Sequence, residues 1–411
     1  MATLKKSCLV LTFLLLGQLA WAQNGKIRGR VFDKKNNEGI PFATVVVQGT
    51  TNGVTTDNDG KFEIGNLKGG LYNIEISYIG YKKKVIYEIE VTLARPAIVK
   101  VAMEEEATKL ETVTVTAAAS FVKPIESPVS LRTIGTNEIK RNPGGNRDIS
   151  KVIRTLPGVA SVPSFRNDVI VRGGAPNENR FYLDGIEVPN INHFATQGSS
   201  GGPVGLINVD FIREVEFYSG AFPANRGNAL SSVLDFKQKD GRDDKWTLNG
   251  IVSATDVGIT VEGPVSKESS LIFSARRSYL QFLFAALQLP FLPTYNDFQF
   301  KYKYKFGTQS QLSIIGLGAI DQFRLNLDAN ETEAQRYTLN NLPVTEQWNY
   351  TVGAKYDWFR KNGNYTFVVS RNALNNNLFK HPNNDESLPR ILDYTDQLKK
   401  GLIKISTKEI C

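Results

Sequence analysis

A serine nucleophile is the first chemistry that the residue pattern suggests. The segment Gly198-Ser199-Ser200-Gly201-Gly202 fits Gly-x-Ser-x-Gly, the turn that lifts a catalytic serine above a sheet between a strand and a helix. Here the glycines continue to Gly205, and only His193 stands near as a base. No paired carboxylates complete such a site, so the segment favours a flexible loop. We predict no catalytic residue and no enzyme.

The sequence has few residues that could bind a metal ion or form a disulfide. The 411 residues contain two cysteines, Cys8 and Cys411, and two histidines, His193 and His381. Cys8 lies in a segment that we expect to be removed, so neither a disulfide framework nor a thiolate metal site can form. We predict no metal ion and no cofactor.

The segment Asp57-Asn58-Asp59-Gly60 begins like a calcium loop. With Gly60 at the sixth position, however, Thr55 and Asn66 occupy the first and twelfth positions, where carboxylates should bind the ion. An Asp-Gly turn between two strands is the better interpretation.

The first residues have the pattern of an export signal. Lys5 and Lys6 precede an apolar run over residues 9–16, and Ala20-Trp21-Ala22 supplies a small-x-small cleavage site. We expect residues 1–22 to be removed. Beyond this segment no apolar run reaches the roughly 18 residues that a membrane-spanning helix needs.

Charge and composition narrow the class of protein. The net charge of +8 comes from Lys and Arg spread along the chain instead of collected in one patch, so we expect no nucleic acid as a partner. The chain has 34 Gly, 15 Tyr and 23 Phe, and its apolar residues alternate in short segments. This pattern is typical of β-rich proteins, including membrane barrels.

Residues 23–103 predict a small β-sandwich. Short strands such as Ala43-Thr44-Val45-Val46-Val47 follow one another at close spacing and are divided by turn signals. The stretches 39–45, 55–62 and 77–81 resemble the carboxypeptidase regulatory-like domain.

A linker over residues 104–120 contains one isolated strand, Glu111-Thr112-Val113-Thr114-Val115-Thr116-Ala117. Alternating Val and Thr favour an extended chain, and the small or polar flanking residues leave it without a neighbour of its own. Such a strand can pair with the edge of a partner's sheet, and the backbone hydrogen bonds can carry a pulling force. An edge strand of the preceding sandwich is the alternative. The segment resembles a TonB box, which implies a TonB-type periplasmic coupling protein as a partner.

Residues 121–238 combine a helix with ordered strand motifs. Apolar residues recur at helical spacing, with Asn146 as a candidate cap and Pro157-Gly158 as the stop: Ile149, Val152, Ile153 and Leu156. Motifs over residues 168–174, 180–189 and 207–236 follow in order. Together they resemble the plug domain of TonB-dependent receptors.

The plug resemblance implies structural roles for two charged residues beside glycine, Arg172 with Gly173 and Asp184 with Gly185. We expect Arg172 and Asp184 to be buried in a lumen and paired, since an unpaired buried charge is costly. One departure concerns Phe217-Tyr218-Ser219-Gly220-Ala221-Phe222, which stands where the starch-utilisation subfamily carries a Leu-Lys-Asp-Ala-Ser-type turn before Ile-Tyr-Gly. That departure counts against a glycan importer of this subtype.

Residues 239–411 predict the first strands of a barrel. Aromatic and apolar residues alternate with polar ones over residues 298–306 and 348–358, so aromatic groups share one strand face. A soluble sandwich with one solvated face is the alternative. The segment offers roughly eight strands, whereas large plugged transporters use about 22, so we expect a fragment or a truncated reading frame.

The expected fold is mainly β, with a small β-sandwich, an α+β plug domain and a partial antiparallel transmembrane β-barrel. The resemblance implies a TonB-dependent receptor in outer-membrane lipid, with its N-terminal domain in the periplasm, that takes up a large or scarce extracellular solute. A surface adhesion or scaffold protein and a signal-transducing receptor without transport are the alternatives. Solute contacts are expected from loops with Phe165, Arg166, Asn190, Asn192 and His193.

Overall fold

The computed structural model describes residues 25–93, 96–105, 130–145, 147–160, 166–196, 199, 201–360 and 363–409. The expected export signal, the TonB box at residues 111–117 and Phe165 lie outside these residues. The chain divides into two compact units, Met1–Val113 and Thr114–Cys411. Within the described part, no helix combines the length and the apolar character needed to cross a membrane.

The first unit is a sandwich built from β1 (Gly25–Asp33), β2 (Thr44–Val47), β3 (Gly53–Thr55), β4 (Lys61–Leu67), β5 (Gly70–Ser77), β6 (Lys84–Val91) and β7 (Ala97–Met103). The strands form two sheets, in the orders β4-β1-β7 and β3-β2-β5-β6. Residues of both sheets, among them Ile27, Val45 and Ile74, are buried in one shared core. The predicted sandwich is confirmed.

The Asp57-Asn58-Asp59-Gly60 segment is a tight turn before β4. Asp57 Oδ1 accepts hydrogen bonds from the backbone N–H groups of Asp59 and Lys61, at 3.0 and 2.7 Å. Gly60 has a φ of +75°, and a Cβ there would lie 2.1 Å from the carbonyl oxygen of Val31. Both the positive φ and the close approach of Val31 require a glycine at this position. The turn interpretation is confirmed.

The second unit begins with the plug. Its elements are β8 (Leu131–Gly135), α1 (Thr136–Arg141), α2 (Ile149–Ile153), β9 (Val159–Ala160), β10 (Ile170–Val171), β11 (Arg180–Leu183), β12 (Ile186–Val188), β13 (Ile212–Tyr218) and β14 (Val233–Gln238). Five strands form one sheet in the order β12-β11-β14-β13-β8, and β9 pairs with β10. Strand β14 lies at the centre of the sheet and β8 at its edge.

Helix α2 lies close to its predicted position but has a different cap. Its predicted apolar residues are all buried: Ile149, Val152, Ile153 and Leu156. Asp148 is the cap, because its Oδ1 accepts a hydrogen bond from the backbone N–H of Ser150 at 2.9 Å. The candidate cap Asn146 lies outside the described residues, and the observed cap is two residues later in the chain.

Eight antiparallel strands form a large sheet in sequential order: β15 (Thr247–Val252), β16 (Asp256–Pro264), β17 (Ser269–Ser278), β18 (Phe291–Phe306), β19 (Ser310–Leu325), β20 (Val344–Arg360), β21 (Gly363–Lys380) and β22 (Leu392–Glu409). Short connections at residues 265–268 and 307–309 alternate with long ones at 279–290, 326–343 and 381–391. Helices α3 (Leu280–Ala286) and α4 (Glu333–Asn341) belong to the long connections. The expected strand count is confirmed.

The large sheet buries its polar face. In β18, Asp297, Gln299 and Lys301 are buried, whereas Phe298 between them is 45% exposed. Trp348 on β20 is likewise exposed. A soluble sandwich would bury its apolar face, so that alternative is wrong. A polar inner face with an apolar outer face is the pattern of a membrane barrel, here as a partial antiparallel sheet.

Candidate functional site

The plug packs on the polar face of the large sheet. Ile315 and Leu317 of β19 and Val368 of β21 extend the apolar core of the plug. Ile186 of β12 lies against Gly353 of β20, where an added Cβ would be 2.6 Å from Ile186 Cδ1. Hydrogen bonds, ion pairs and the stacking of His193 on Tyr295 also join the plug to the sheet.

The Asp184-Gly185 turn between β11 and β12 makes one ionic contact with the sheet. Both residues have positive φ, +50° for Asp184 and +91° for Gly185. Asp184 Oδ2 lies 2.8 Å from Lys301 Nζ, and Asp184 Oδ1 accepts a hydrogen bond from the backbone N–H of Gln238 at 2.9 Å. Lys301 also contacts Asp240 at 2.9 Å. The carboxylate of Asp184 is therefore paired across the interface.

The environment of Arg172 differs from the predicted one. It follows β10 with a φ of +51°, next to Gly173 with a φ of +80°. Its side chain is exposed, and Nη2 donates a hydrogen bond to Ser219 Oγ at 3.3 Å. The predicted burial is wrong because this turn directs the guanidinium towards the turn after β13, within the plug.

The residues expected to contact a solute separate into two groups. Arg166 is exposed in part and pairs with Asp168 at 2.7 Å, and Asn190 is half-buried. Asn192 and His193 are completely buried, and Asn192 Oδ1 accepts a hydrogen bond from Ser150 Oγ at 3.1 Å. The structure does not support direct solute contact by Asn192 and His193, because other side chains enclose both residues completely.

His193 lies between two carboxylates of the large sheet. Its Nδ1 is 2.7 Å from Asp321 Oδ1, and its Nε2 is 3.1 Å from Asp297 Oδ2. The imidazole also stacks on Tyr295, with 4.1 Å between ring centroids. All four side chains are buried.

The backbone around His193 is held as well. Two plug arms, residues 191–195 and 204–206, are joined by hydrogen bonds from His193 N–H to Val204 O and from Leu206 N–H to Ile191 O, both 2.8 Å. Asp321 Oδ2 accepts the N–H of Phe194 at 2.8 Å.

Two further strands bind the same arms. Gln347 Nε2 donates to Ala195 O at 2.6 Å, and Arg276 Nη2 donates to Gly205 O and Leu206 O at 3.0 and 2.7 Å. Sequence reasoning missed these residues of the sheet. Polar residues at inward positions of long alternating strands were the available signal.

A second group of buried charges lies inside the plug. Asp235 of β14 is 2.6 Å from Lys237 Nζ and is also paired with Arg226. The Arg226 guanidinium lies over the ring of Tyr182 at 4.7 Å. Burial opposes ionisation of Asp235, but Lys237 and Arg226 outweigh it and lower its pKa to about 2.

Comparison with known families matches the first unit and the plug part of the second unit. The model of the CarboxypepD_reg-like domain matches residues 27–115. The model of the TonB-dependent Receptor Plug Domain matches residues 123–233. The matched domains and relatives support a TonB-dependent receptor. Its plug, its polar interface with the antiparallel sheet and its apolar outer face agree with that family.

Known relatives match parts of this receptor. TonB-dependent receptor SusC of Bacteroides thetaiotaomicron is 25% identical over 245 residues, 57% of this chain and 23% of SusC. The ferrienterobactin receptor of Escherichia coli is 30% identical over 144 residues, 32% of this chain and 18% of that protein. The chain therefore spans less than a quarter of the length of these relatives. A solved structure, the ferric enterobactin receptor PfeA of Pseudomonas aeruginosa, superposes with a TM-score of 0.48 at 14% identity, covering 66% of this chain and 45% of PfeA.

Proposed function

We propose that this receptor takes up a large or scarce extracellular solute across the outer membrane, powered by a TonB-type periplasmic coupling protein. The observation that supports this proposal is the plug held on the polar face of a sheet whose other face is apolar. An apolar outer face suits outer-membrane lipid, and a plug joined to the sheet by breakable polar contacts suits a gated path. The proposal includes no enzymatic step.

In the proposed mechanism, the N-terminal sandwich lies in the periplasm beside the coupling protein. The TonB box at residues 111–117 adds as a strand to that partner's sheet, and force passes along the backbone into the plug. Strand β8 follows this linker in the chain and is one of the two edge strands of the plug sheet. We infer that movement starts there.

For the solute we propose contacts from Arg166 and Asn190, which are accessible in part. A guanidinium and a carboxamide both donate hydrogen bonds, so these two residues suit an oxygen-rich solute.

The TonB box can be tested by crosslinking. We would replace Val113 by cysteine in a C411S background and mix the protein with the carboxy-terminal domain of TonB carrying a cysteine on its edge strand. A disulfide-linked heterodimer is expected. Adding Val115→Pro should lower its yield about tenfold or more, because proline removes a backbone donor and disrupts strand pairing.

The matched control is Ala107→Pro, which places proline in the same linker outside the box. It should leave the yield within about twofold of the parent protein. Equal losses in the two proline variants would reject the box as the pairing strand. If the parent protein, Val113→Cys in the C411S background, gives no heterodimer, the proposed coupling to TonB is rejected.

A further inference from the structure

His193 presents both ring nitrogens to carboxylates. A neutral imidazole has one N–H donor and one lone pair, so it could satisfy Asp321 or Asp297 but would turn its lone pair on the other. Both nitrogens are at hydrogen-bond distance, 2.7 Å from Asp321 and 3.1 Å from Asp297. The two contacts are satisfied together when the ring carries a proton on each nitrogen.

The neighbouring charges lead to the same protonation state. Arg276 Nε lies 3.0 Å from each carboxylate oxygen of Asp297. The side chains of His193, Asp297 and Asp321 are 0%, 0% and 1% exposed. With an imidazolium the group holds two positive and two negative charges. A neutral ring would leave one uncompensated negative charge in a buried site, which is costly.

The remaining titratable neighbour supplies no further charge to the ring. Tyr295 stacks on His193, and its hydroxyl donates to Asp256 Oδ2 at 2.8 Å, so it does not donate to the two carboxylates. Asp256 belongs to β16 and contacts Tyr295, so it is not a partner of the ring. Arg276 of β17, Asp297 of β18 and Asp321 of β19 are the charged groups of the cluster, and three adjacent strands therefore hold one plug residue.

We propose that His193 is a positioning residue that, as an imidazolium, anchors the plug arms 191–195 and 204–206 to strands β17–β19. These arms then stay on the sheet while TonB-driven movement displaces the β8 side of the plug. The second statement rests on the proposed function, and the first does not.

The anchor should respond to pH. Burial favours the neutral ring, but Asp321 and Asp297 outweigh this effect and raise the pKa of His193 from its ordinary 6.5 to about 9. A group whose pKa is raised in the folded state stabilises that state fully below its unfolded pKa. The stabilisation is therefore complete below pH 6.5 and is lost as the pH rises through about 9.

The protonation state can be measured directly because the chain has two histidines, His193 and His381. The variant His381→Gln leaves His193 as the single histidine of the mature protein. In protein labelled with ¹⁵N-histidine, both imidazole nitrogens should give protonated shifts at pH 7, with a titration midpoint near 9. A single protonated nitrogen at pH 7 would overturn the proposal.

Anchoring itself can be measured by hydrogen–deuterium exchange. His193→Gln should speed exchange in residues 191–195 and 204–206 about tenfold or more, because Asp321 loses its cationic partner, while β8 keeps its rate. The double variant His193→Gln/Asp321→Asn restores one Arg276–Asp297 pair and should return exchange most of the way to the parent rate.

The matched control is His193→Gln/Asp297→Asn, which has the same net charge but leaves Arg276 without its carboxylate partner. It should not restore protection. Equal rescue by both double variants, or none by either, would overturn the anchor. These readouts need neither solute nor TonB, so failure of the anchor is distinguishable from failure of the proposed transport.

Discussion

At the residue scale, the plug of this receptor keeps its buried charges in compensated groups. Asp235 is 1% exposed and lies between Arg226 and Lys237, and its pKa is lowered to about 2. The group therefore stabilises the plug only as long as all three members are present and charged.

Asp235→Asn should lower the free energy of unfolding by about 3 to 5 kcal/mol, because it leaves Arg226 without its carboxylate partner and Lys237 with Glu216 alone. Urea unfolding in detergent measures this change. The control is Asp393→Asn, which removes one partner of the exposed Arg390–Asp393 pair and should cost about 1 kcal/mol or less. Similar losses in both variants would contradict the importance of burial.

The lowered pKa of Asp235 predicts a loss of stability at acid pH. A lowered folded-state pKa contributes stability above the unfolded value, and this stability is lost as pH falls through the folded value. For Asp235 the contribution is full above pH 3.8 and disappears near pH 2. In Asp235→Asn protein the free energy of unfolding should change less with pH between these values.

Two isoleucines of the sandwich form a matched pair. Ile74 is 0% exposed in the core and Ile79 is 95% exposed. Ile74→Ala should destabilise the sandwich by about 2 to 5 kcal/mol through lost burial and a cavity. Ile79→Ala should change stability by about 0.5 kcal/mol or less. Thermal unfolding of the two variants compares them, and equal melting temperatures would reject the assigned core.

At the scale of elements, β8 lies at one edge of the plug sheet and β12 at the other. Among the described strands β8 pairs with β13 alone, whereas β14 lies between β11 and β13. Edge strands open at lower free energy than central ones. Amide exchange in residues 131–135 should therefore be at least about tenfold faster than in residues 233–238. The reverse order would reject β8 as the first strand to move.

A disulfide across this edge provides the control. Thr133 and Glu216 are register partners, and opposite side chains of antiparallel strands are close enough for a crosslink. Oxidised Thr133→Cys/Glu216→Cys protein should exchange slowly in residues 131–135, and reduction should restore the fast rate.

At the scale of the whole molecule, the apolar outer face of the large sheet is the surface that suits contact with a lipid bilayer. Val352 lies at the middle of the 17-residue strand β20 and is 43% exposed. Val352→Lys should reduce the free energy of folding into bilayers by about 2 to 4 kcal/mol, because it places a charge against hydrocarbon. Tyr337→Lys in α4, at a more exposed site in a connecting segment, should have little effect. Equal tolerance of both, with a monodisperse product in buffer without detergent, would favour the adhesion or scaffold alternative.

The sequence by itself determined the features that depend on local periodicity. Alternation over residues 348–358 predicts a long strand with one aromatic face, because successive side chains of a strand point to opposite sides. Ile149, Val152 and Ile153 predict one buried helix face in the same way. Even the tight turn at Gly60 follows from nearest neighbours in the chain.

Tertiary structure alone decided which distant polar groups meet. His193 contacts Asp297 and Asp321, which are 104 and 128 residues away in the chain. Periodicity gives the face of a strand but neither its register nor the plug residue that lies opposite, because both are set by packing over the whole second unit. For that reason the sequence suggested His193 as a solute contact, whereas the fold encloses it between two carboxylates. Likewise Arg172 is exposed because its turn directs the guanidinium towards Ser219.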